Sequence, residues 1–171
     1  MSPDVKPTQL ERLLEEALAA GGDAPVVETG ESLKVIVFRL GTCFCALPGS
    51  EVKEILPAGE ISPVPGAPDF LPGIINVRGD IESVLDIRQF LGLHPEPIRS
   101  PLILLAESGG VRSGILVEEV LDVTDVPASS MAEPLPTLPE GRRTFVAGEF
   151  PYGSRSVTFL NGGALLASGM V

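Results

Sequence analysis

The stretch from residue 61 to residue 93 constrains the fold more than any other part of the chain. Its first half carries four prolines, which cannot donate hydrogen bonds to a sheet ladder, so this part runs along an edge or outside a sheet. Strand-like runs follow at residues 74–77 and 81–85. Arg78 and Gly79 stand between them, and glycine permits the positive φ of a tight turn. The sequence therefore predicts a hairpin with one long cationic side chain at its bend.

The rest of the chain has the pattern of many short strands joined by turns. Residues 33–40 are apolar on both faces over part of their length, as in a strand buried on both sides, and residues 43–47 return as a hairpin partner. Gly114, inside another strand-like run, indicates a bulge or tight bend. Further strands are predicted at residues 51–55, 102–106, 111–117, 118–126, 144–150 and 156–160, and short helices at residues 87–91 (capped by Asp86) and 162–167. This pattern predicts an all-β protein, either a sandwich or a barrel.

Composition excludes several classes of function. The formal net charge of -11 argues against general nucleic-acid binding and against direct contact with an anionic membrane, because both need clustered cations. No apolar run reaches the length of about 18 residues that spans a bilayer, and the chain does not begin with a secretory signal. Cys43 and Cys45 are interpreted as reduced thiols, so a cytoplasmic location is expected.

Residues 1–31 differ from the rest of the chain and are interpreted as an N-terminal helix and a linker. Thr8 and Glu11 form a capping box, and Gly21-Gly22 would end the helix. One apolar stripe at helical spacing consists of Leu10, Leu13, Leu14, Ala17 and Leu18. Such a stripe needs a partner, because a helix of about 13 residues alone is marginal in water. Two interpretations stay open: the stripe covers the protein's own sheet edge, or it makes an extra partner contact.

Signatures of catalysis or of metal and cofactor binding are missing. His94, the only histidine, lies in a loop between prolines, and it has no nucleophile or metal-ligand set around it in the sequence. Glu118 and Glu119 are adjacent on a predicted strand and would face opposite ways. We therefore expect no enzyme, no cofactor and no metal, and a binding module is the favoured class. A small-molecule-binding or hydrolytic β-barrel enzyme that uses Asp86 or His94 is the competing class.

Several motifs together resemble one family. Residues 73–79 (Gly-Ile-Ile-Asn-Val-Arg-Gly) and 84–88 (Val-Leu-Asp-Ile-Arg) closely resemble the core of CheW-like domains, the coupling proteins of bacterial chemosensory arrays. Matching segments in the same order are residues 38–41, 46–48, 52–55 and 61–68. The resemblance implies two small SH3-like five-stranded β-barrels packed around a common hydrophobic core, with residues 32–168 as the CheW-like domain and the N-terminal helix as an addition.

The resemblance also implies partners. They are the signalling tip of a methyl-accepting chemotaxis receptor and the regulatory domain of a CheA-type histidine kinase, so the protein would be recruited to receptor clusters. Receptor binding is expected at Asn76, Val77, Arg78, Gly79 and Val84, in a groove at the junction between the lobes. Kinase binding is expected at Val52, Glu54 and Ile55.

Structural alternatives stay open for some of these residues. Val52 and Ile55 are equally compatible with the core, and Arg78 with an ion pair to Asp80 or Asp86. Departures from the family pattern, such as Glu82-Ser83 before the Val-Leu-Asp segment, leave an accessory coupler that binds receptor but engages the kinase weakly as the alternative.

Overall fold

A computed structural model describes residues 31–169. The predicted N-terminal helix, with Leu10, Leu13, Leu14 and Leu18, lies outside the described residues. The strands are β1 (Ser32–Leu40), β2 (Cys43–Pro48), β3 (Val52–Pro57), β4 (Gly73–Val77), β5 (Asp80–Leu85), β6 (Leu102–Ser108), β7 (Val111–Val117), β8 (Glu119–Pro127), β9 (Val146–Tyr152) and β10 (Arg155–Leu160). The α-helices are α1 (Glu140–Arg143) and α2 (Gly162–Ser168), and single 3-10 turns occupy Gly49–Glu51, Gln89–Leu91 and Ala128–Ser130.

The ten strands form two five-stranded sheets. The first sheet has the order β8-β1-β2-β10-β9, and the second has the order β3-β6-β7-β5-β4. Read in these orders, each sheet has two antiparallel pairs, then one parallel pair, then one antiparallel pair. The two sheets therefore share one topology, although the chain has no clear internal sequence repeat. The prediction of an all-β fold with two five-stranded units is confirmed.

The largest hydrophobic cluster belongs to both sheets. It contains Phe38 and Leu40 from β1 of the first sheet and Leu104 and Ile115 from the second, all fully buried. The prediction that β1 is buried on both faces is also confirmed, because four consecutive residues, Val35 to Phe38, are at most 1% exposed. Each sheet thus contributes to a common core, as expected for two packed lobes.

The crossover from the second sheet to the first is a single residue, Glu118, between β7 and β8. The guanidinium of Arg39 donates to the Glu118 carboxylate (2.8 Å) and to Glu119 (3.2 Å), and the Gly41 amide donates to Glu118 (3.1 Å). These bonds tie the turn between β1 and β2 to the point where the chain changes sheets. Both acids have structural partners here, so the adjacent pair has a role in holding the fold.

Two local predictions are wrong. Gly114 lies in a regular stretch of β7 without a register shift; its missing Cβ instead makes room for Ile103, whose Cγ2 would lie 2.6 Å from it. Asp86 does not cap an α-helix, because residues 89–91 form only a 3-10 turn. The Asp86 carboxylate accepts two bonds from the Arg88 guanidinium and one from the Arg88 amide. The turn does end at Gly92, which is left-handed with φ 74°.

Cys43 and Cys45 are free thiols. Both pack against the common core, because residues two apart in a strand share a face. Within residues 31–169, no helix is long and apolar enough to cross a membrane.

Candidate functional site

The predicted hairpin between β4 and β5 is a tight two-residue turn. Arg78 and Gly79 occupy its centre with φ values of 51° and 95°. Two positive φ values match the twist of paired strands, and a non-glycine residue adopts one only when local bonds support it. That support comes from Asn76, whose Oδ1 accepts a hydrogen bond from the Gly79 amide (2.8 Å). Asn76 therefore holds the bend that presents Arg78.

Arg78 forms an ion pair with Glu54 of β3. Its Nη1 lies 2.8 Å from Glu54 Oε2, and its Nη2 donates to Glu54 Oε1. The hydrogen bond from Arg78 holds the pKa of Glu54 below its usual range. The expected partners, Asp80 and Asp86, are not the ones used, since Asp86 pairs with Arg88. The Arg78 side chain stays 67% exposed, so this pair stands on the surface.

The position of this pair differs from the predicted junction between the lobes. β3 and β4 are the two edge strands of the second sheet. Because Arg78 at the end of β4 reaches Glu54 in β3, the sheet curls until its edges approach each other. The bend therefore lies at the open seam of one lobe, with both of its hydrogen-bonded partners in that lobe.

A groove of about 670 Å³ runs along this seam. It is called the hairpin groove and is lined by residues 56–60, 62, 74–78 and 81. Ile81 on its margin is 61% exposed, which is more than any other large hydrophobic residue within residues 31–169. The groove thus combines an apolar wall with a fixed cation at one end. Such a surface suits the apolar face of a protein helix.

The predicted receptor-binding residues separate into two groups. Asn76, Arg78 and Gly79 are exposed, and Asn76 and Arg78 line the hairpin groove. Val77 and Val84 are only 7% and 0% exposed, and both belong to the hydrophobic cluster beneath the hairpin. Both side chains support the hairpin from below, and Val77 also lines the hairpin groove, whereas Val84 does not.

The predicted kinase-binding residues lie on the edge strand β3. Val52 and Ile55 are half-buried and pack against the common core. A register shift between Val52 and Glu54 interrupts the regular pairing with β6. Glu54 instead points to Arg78, so one residue predicted for the kinase and one predicted for the receptor form a single contact.

Ile81 is not among the residues that the sequence predicts for the site. It pairs directly with Asn76, and in strict alternation it faces away from Glu82 and Val84, which are buried. An isoleucine on the outward face of a strand indicates a contact surface. The sequence alone does not show which face is outward, because that depends on the pairing register of the strand. In residues 31–169 no group of three or more His, Cys, Asp or Glu side chains is arranged to hold a metal ion.

Comparison with known proteins identifies one family and several related proteins. The CheW-like domain family matches residues 34–170. Protein PilI of Pseudomonas aeruginosa is 34% identical over 134 residues, which cover 78% of this chain and 75% of that protein. Protein FrzA of Myxococcus xanthus is 29% identical over 98 residues, covering 57% of this chain and 61% of FrzA.

A solved structure has the same architecture. The scaffolding protein TtCheW from Thermoanaerobacter tengcongensis superposes with a TM-score of 0.70 at 26% identity, covering 77% of this chain and 90% of that one. The family match extends over most of the described residues, including both sheets and the hairpin groove. On these grounds the chain belongs to the CheW-like domain family.

Proposed function

We propose that this protein is a non-catalytic adaptor that couples methyl-accepting chemotaxis receptors to a CheA-type histidine kinase in a bacterial chemosensory array. The observation that carries the proposal is the surface Arg78–Glu54 pair beside a groove that has the exposed Ile81 on its margin. Family membership supports it, as does the description of a structural relative as a scaffolding protein. Its place of action would be the cytoplasmic side of receptor clusters.

The hairpin groove is the proposed receptor site. A receptor tip is a helical hairpin, and the groove offers Ile81 as an apolar contact and Arg78 as a charged one. Asn76 and Gly79 fix the bend between them. A helix laid in this groove would bury the exposed part of Ile81, which contributes about 25 cal/mol for each Å² removed from water.

The kinase site is proposed on the neighbouring edge strand β3. An edge strand presents unpaired backbone groups, so it accepts another β-domain. Val52 and Ile55 would supply apolar contacts and Glu54 a charge. Because Glu54 also holds Arg78, the receptor site and the kinase site share one ion pair.

The proposed mechanism is positional. The adaptor holds the kinase against the receptor tip, and a small change in receptor packing favours one kinase arrangement over another. A ligand shifts such an equilibrium only by its differential affinity for the two states. The shared Arg78–Glu54 pair gives a direct route for that difference, since a change at the groove alters the orientation of Glu54 on β3.

Binding to purified fragments tests the proposal. The full chain is titrated with a receptor signalling-domain fragment and, separately, with a kinase regulatory-domain fragment. We expect saturable binding to both, and loss of receptor binding in Ile81→Glu but not in Leu33→Glu, a matched change at another exposed apolar residue (39% exposed). Binding to neither fragment would reject the adaptor function.

The alternative function is an accessory coupler that binds receptor but engages the kinase weakly. It is favoured by the half-burial of Val52 and Ile55 against the common core, because each of them is less exposed than Ile81 at the groove. Saturable binding of the receptor fragment, with no measurable binding of the kinase fragment, would identify this alternative. Equal engagement of both fragments would exclude it.

A further inference from the structure

The first sheet carries a second groove. It has a volume of about 500 Å³ and is lined by residues between 130 and 135 and between 149 and 156. This surface is called the first-sheet groove. Leu135 on its wall is 56% exposed, close to the value for Ile81 at the hairpin groove. The proposed function uses no residue of this groove.

Shared topology places the two grooves at corresponding seams of their sheets. β8 and β9 are the edges of the first sheet, as β3 and β4 are of the second. In each sheet, the segment that follows the first edge strand (β8 or β3) forms one isolated β-bridge to the opposite edge strand. The bridge joins Ala132 to Glu149 in the first sheet and Ser62 to Ile74 in the second.

A glycine precedes the bridged residue in both sheets. A Cβ on Gly148 would lie 2.6 Å from the Ala132 carbonyl oxygen, and a Cβ on Gly73 would lie 2.2 Å from that of Ser62. The same close backbone approach thus shapes both seams. The first-sheet groove therefore lies at a seam that both sheets build in the same way.

The chain enters the described fold beside this groove. The Glu31 carbonyl accepts a hydrogen bond from the Ala128 amide (2.9 Å), and β1 begins at once with Ser32 paired to Pro127. Ser130, which lines the groove, is two residues beyond Ala128, a span of at most about 7 Å. Glu31, the first described residue, therefore lies next to the first-sheet groove.

Residues 8–20 contain a predicted apolar stripe, which is stable in water only when it packs against another surface. The segment 8–20 has helical spacing of its leucines and would be about 20 Å long as a helix. The ten residues 21–30 can span up to about 33–36 Å, which is enough to return the segment to the groove. A tether this short also gives an effective concentration in the millimolar range, so modest contacts suffice.

The groove is lined by one cation, Arg155, and by two acids, Glu133 and Glu149, so only Arg155 can pair with the acidic side chains of the segment. The segment carries Glu11, Glu15 and Glu16 but only Arg12 as a cation. Arg155 lines the groove, with its guanidinium 4.4 Å from the centre of the Phe44 ring. Stacking fixes this cation while leaving its edge open to a carboxylate.

We propose that residues 8–20 dock their leucine stripe into the first-sheet groove of the same chain, against Leu135 and beside Arg155. The segment would then be the occupant of this groove, and the hairpin groove would be the one that the proposed function uses.

A single tryptophan tests the docking, because the chain has none. Leu135→Trp places the reporter in the first-sheet groove, and Val64→Trp, in the proline-rich stretch before β4, serves as the matched control (37% exposed as valine). We expect the emission of Leu135→Trp to be shifted to shorter wavelength and quenched by acrylamide several-fold less than that of Val64→Trp. Adding Leu14→Glu and Leu18→Glu should remove this protection and leave the control unchanged.

Three results would overturn the proposal. The first is quenching of Leu135→Trp equal to the control. The second is protection that survives the Leu14→Glu and Leu18→Glu changes. The third is protection that increases with protein concentration, which would show that a second copy occupies the groove. If Leu135→Trp lowers the melting temperature, Ser154→Trp at an exposed turn of the same groove replaces it.

Discussion

Arg78 and Glu54 join the two edge strands of the second sheet through a bidentate ion pair on the protein surface. An exposed pair contributes little to the free energy of unfolding, because water and salt screen it. The fork of a guanidinium on a carboxylate does fix orientation. The pair therefore matters for the shape and charge that a partner meets at the hairpin groove, more than for the stability of the lobe.

Arg78→Ala should separate binding from folding. We expect the receptor fragment to bind at least about tenfold more weakly, as for arginine hot spots in other interfaces, while the melting temperature changes little. Arg99→Ala, which removes another exposed arginine, is the control. A large fall in melting temperature would instead assign Arg78 a structural role. A charge-swapped Arg78→Glu/Glu54→Arg variant tells whether binding needs the pair or the position of the cation.

The Glu54 carboxyl should titrate below its usual range because of the hydrogen bond from Arg78. A lowered folded pKa means that the pair is fully formed above the unfolded value, about 4.3, and is lost as the pH falls through the folded value. We therefore expect the contact to persist from neutral pH to about pH 5. Carboxyl NMR titration measures this directly. In Arg78→Ala the midpoint should rise, and an unchanged midpoint would contradict the ion pair in solution.

Local signals in the sequence were enough to predict the hairpin. Gly73 to Leu85 contains its own strands and turn, so the pattern of the segment decides its structure. The partner of Arg78 could not be predicted, because Glu54 lies 24 residues away and reaches it only when the sheet curls. Asp80 and Asp86 were nearer in sequence, but Asp86 already satisfies the Arg88 guanidinium.

The sequence motif did not show which of its residues are buried and which are exposed. Val84 and Asn76 belong to the same hairpin, yet Val84 is fully buried and Asn76 is exposed. Gly114 shows the same limit, since only the facing Ile103 explains the glycine. The shared topology of the two sheets could not be predicted from the sequence either. It appears in the strand order and the bridging residues, and no repeated sequence motif accompanies it.

Asp86→Asn should destabilise the fold strongly. The Asp86 and Arg88 side chains are only 15% and 7% exposed. The substitution leaves a buried guanidinium without its countercharge, which costs about 3–5 kcal/mol. Urea unfolding measures the loss, with Asp80→Asn at the exposed turn as the control. The double variant Asp86→Leu/Arg88→Met should lose less than Asp86→Asn, and an equal or larger loss would show that the charges themselves stabilise the fold.

Tyr152 gives a clean titration, since it is the only tyrosine and the chain has no tryptophan. Burial raises the pKa of its phenol, and the hydrogen bond to Asp122 (2.8 Å) adds to the rise. The stability that this group contributes is present below about pH 10 and is lost as the pH rises through the folded value. Tyrosinate absorbance should thus appear at higher pH in the folded than in the unfolded protein. In Asp122→Ala the midpoint should fall part of the way, and no fall would place the cause in burial alone.

Gly73→Ala should disturb the seam on which the candidate receptor site is built. A Cβ at Gly73 would lie 2.2 Å from the Ser62 carbonyl oxygen and 2.7 Å from its carbon, so backbone must move. The two hydrogen bonds between Ser62 and Ile74, each 2.9 Å, would weaken with it. We expect a loss of about 1–3 kcal/mol in the free energy of unfolding, together with weaker receptor binding, because Ser62 and Ile74 both line the hairpin groove.

The matched control for this change is Gly141→Ala, where a Cβ would meet nothing within 4 Å. It should leave the free energy of unfolding and receptor binding close to those of the unmodified protein. Loss of stability in Gly73→Ala with full receptor binding would show that the partner does not use this wall of the groove, and the receptor site would then have to lie elsewhere. Loss of both is the expected result, because the same backbone contact closes the seam and shapes the groove.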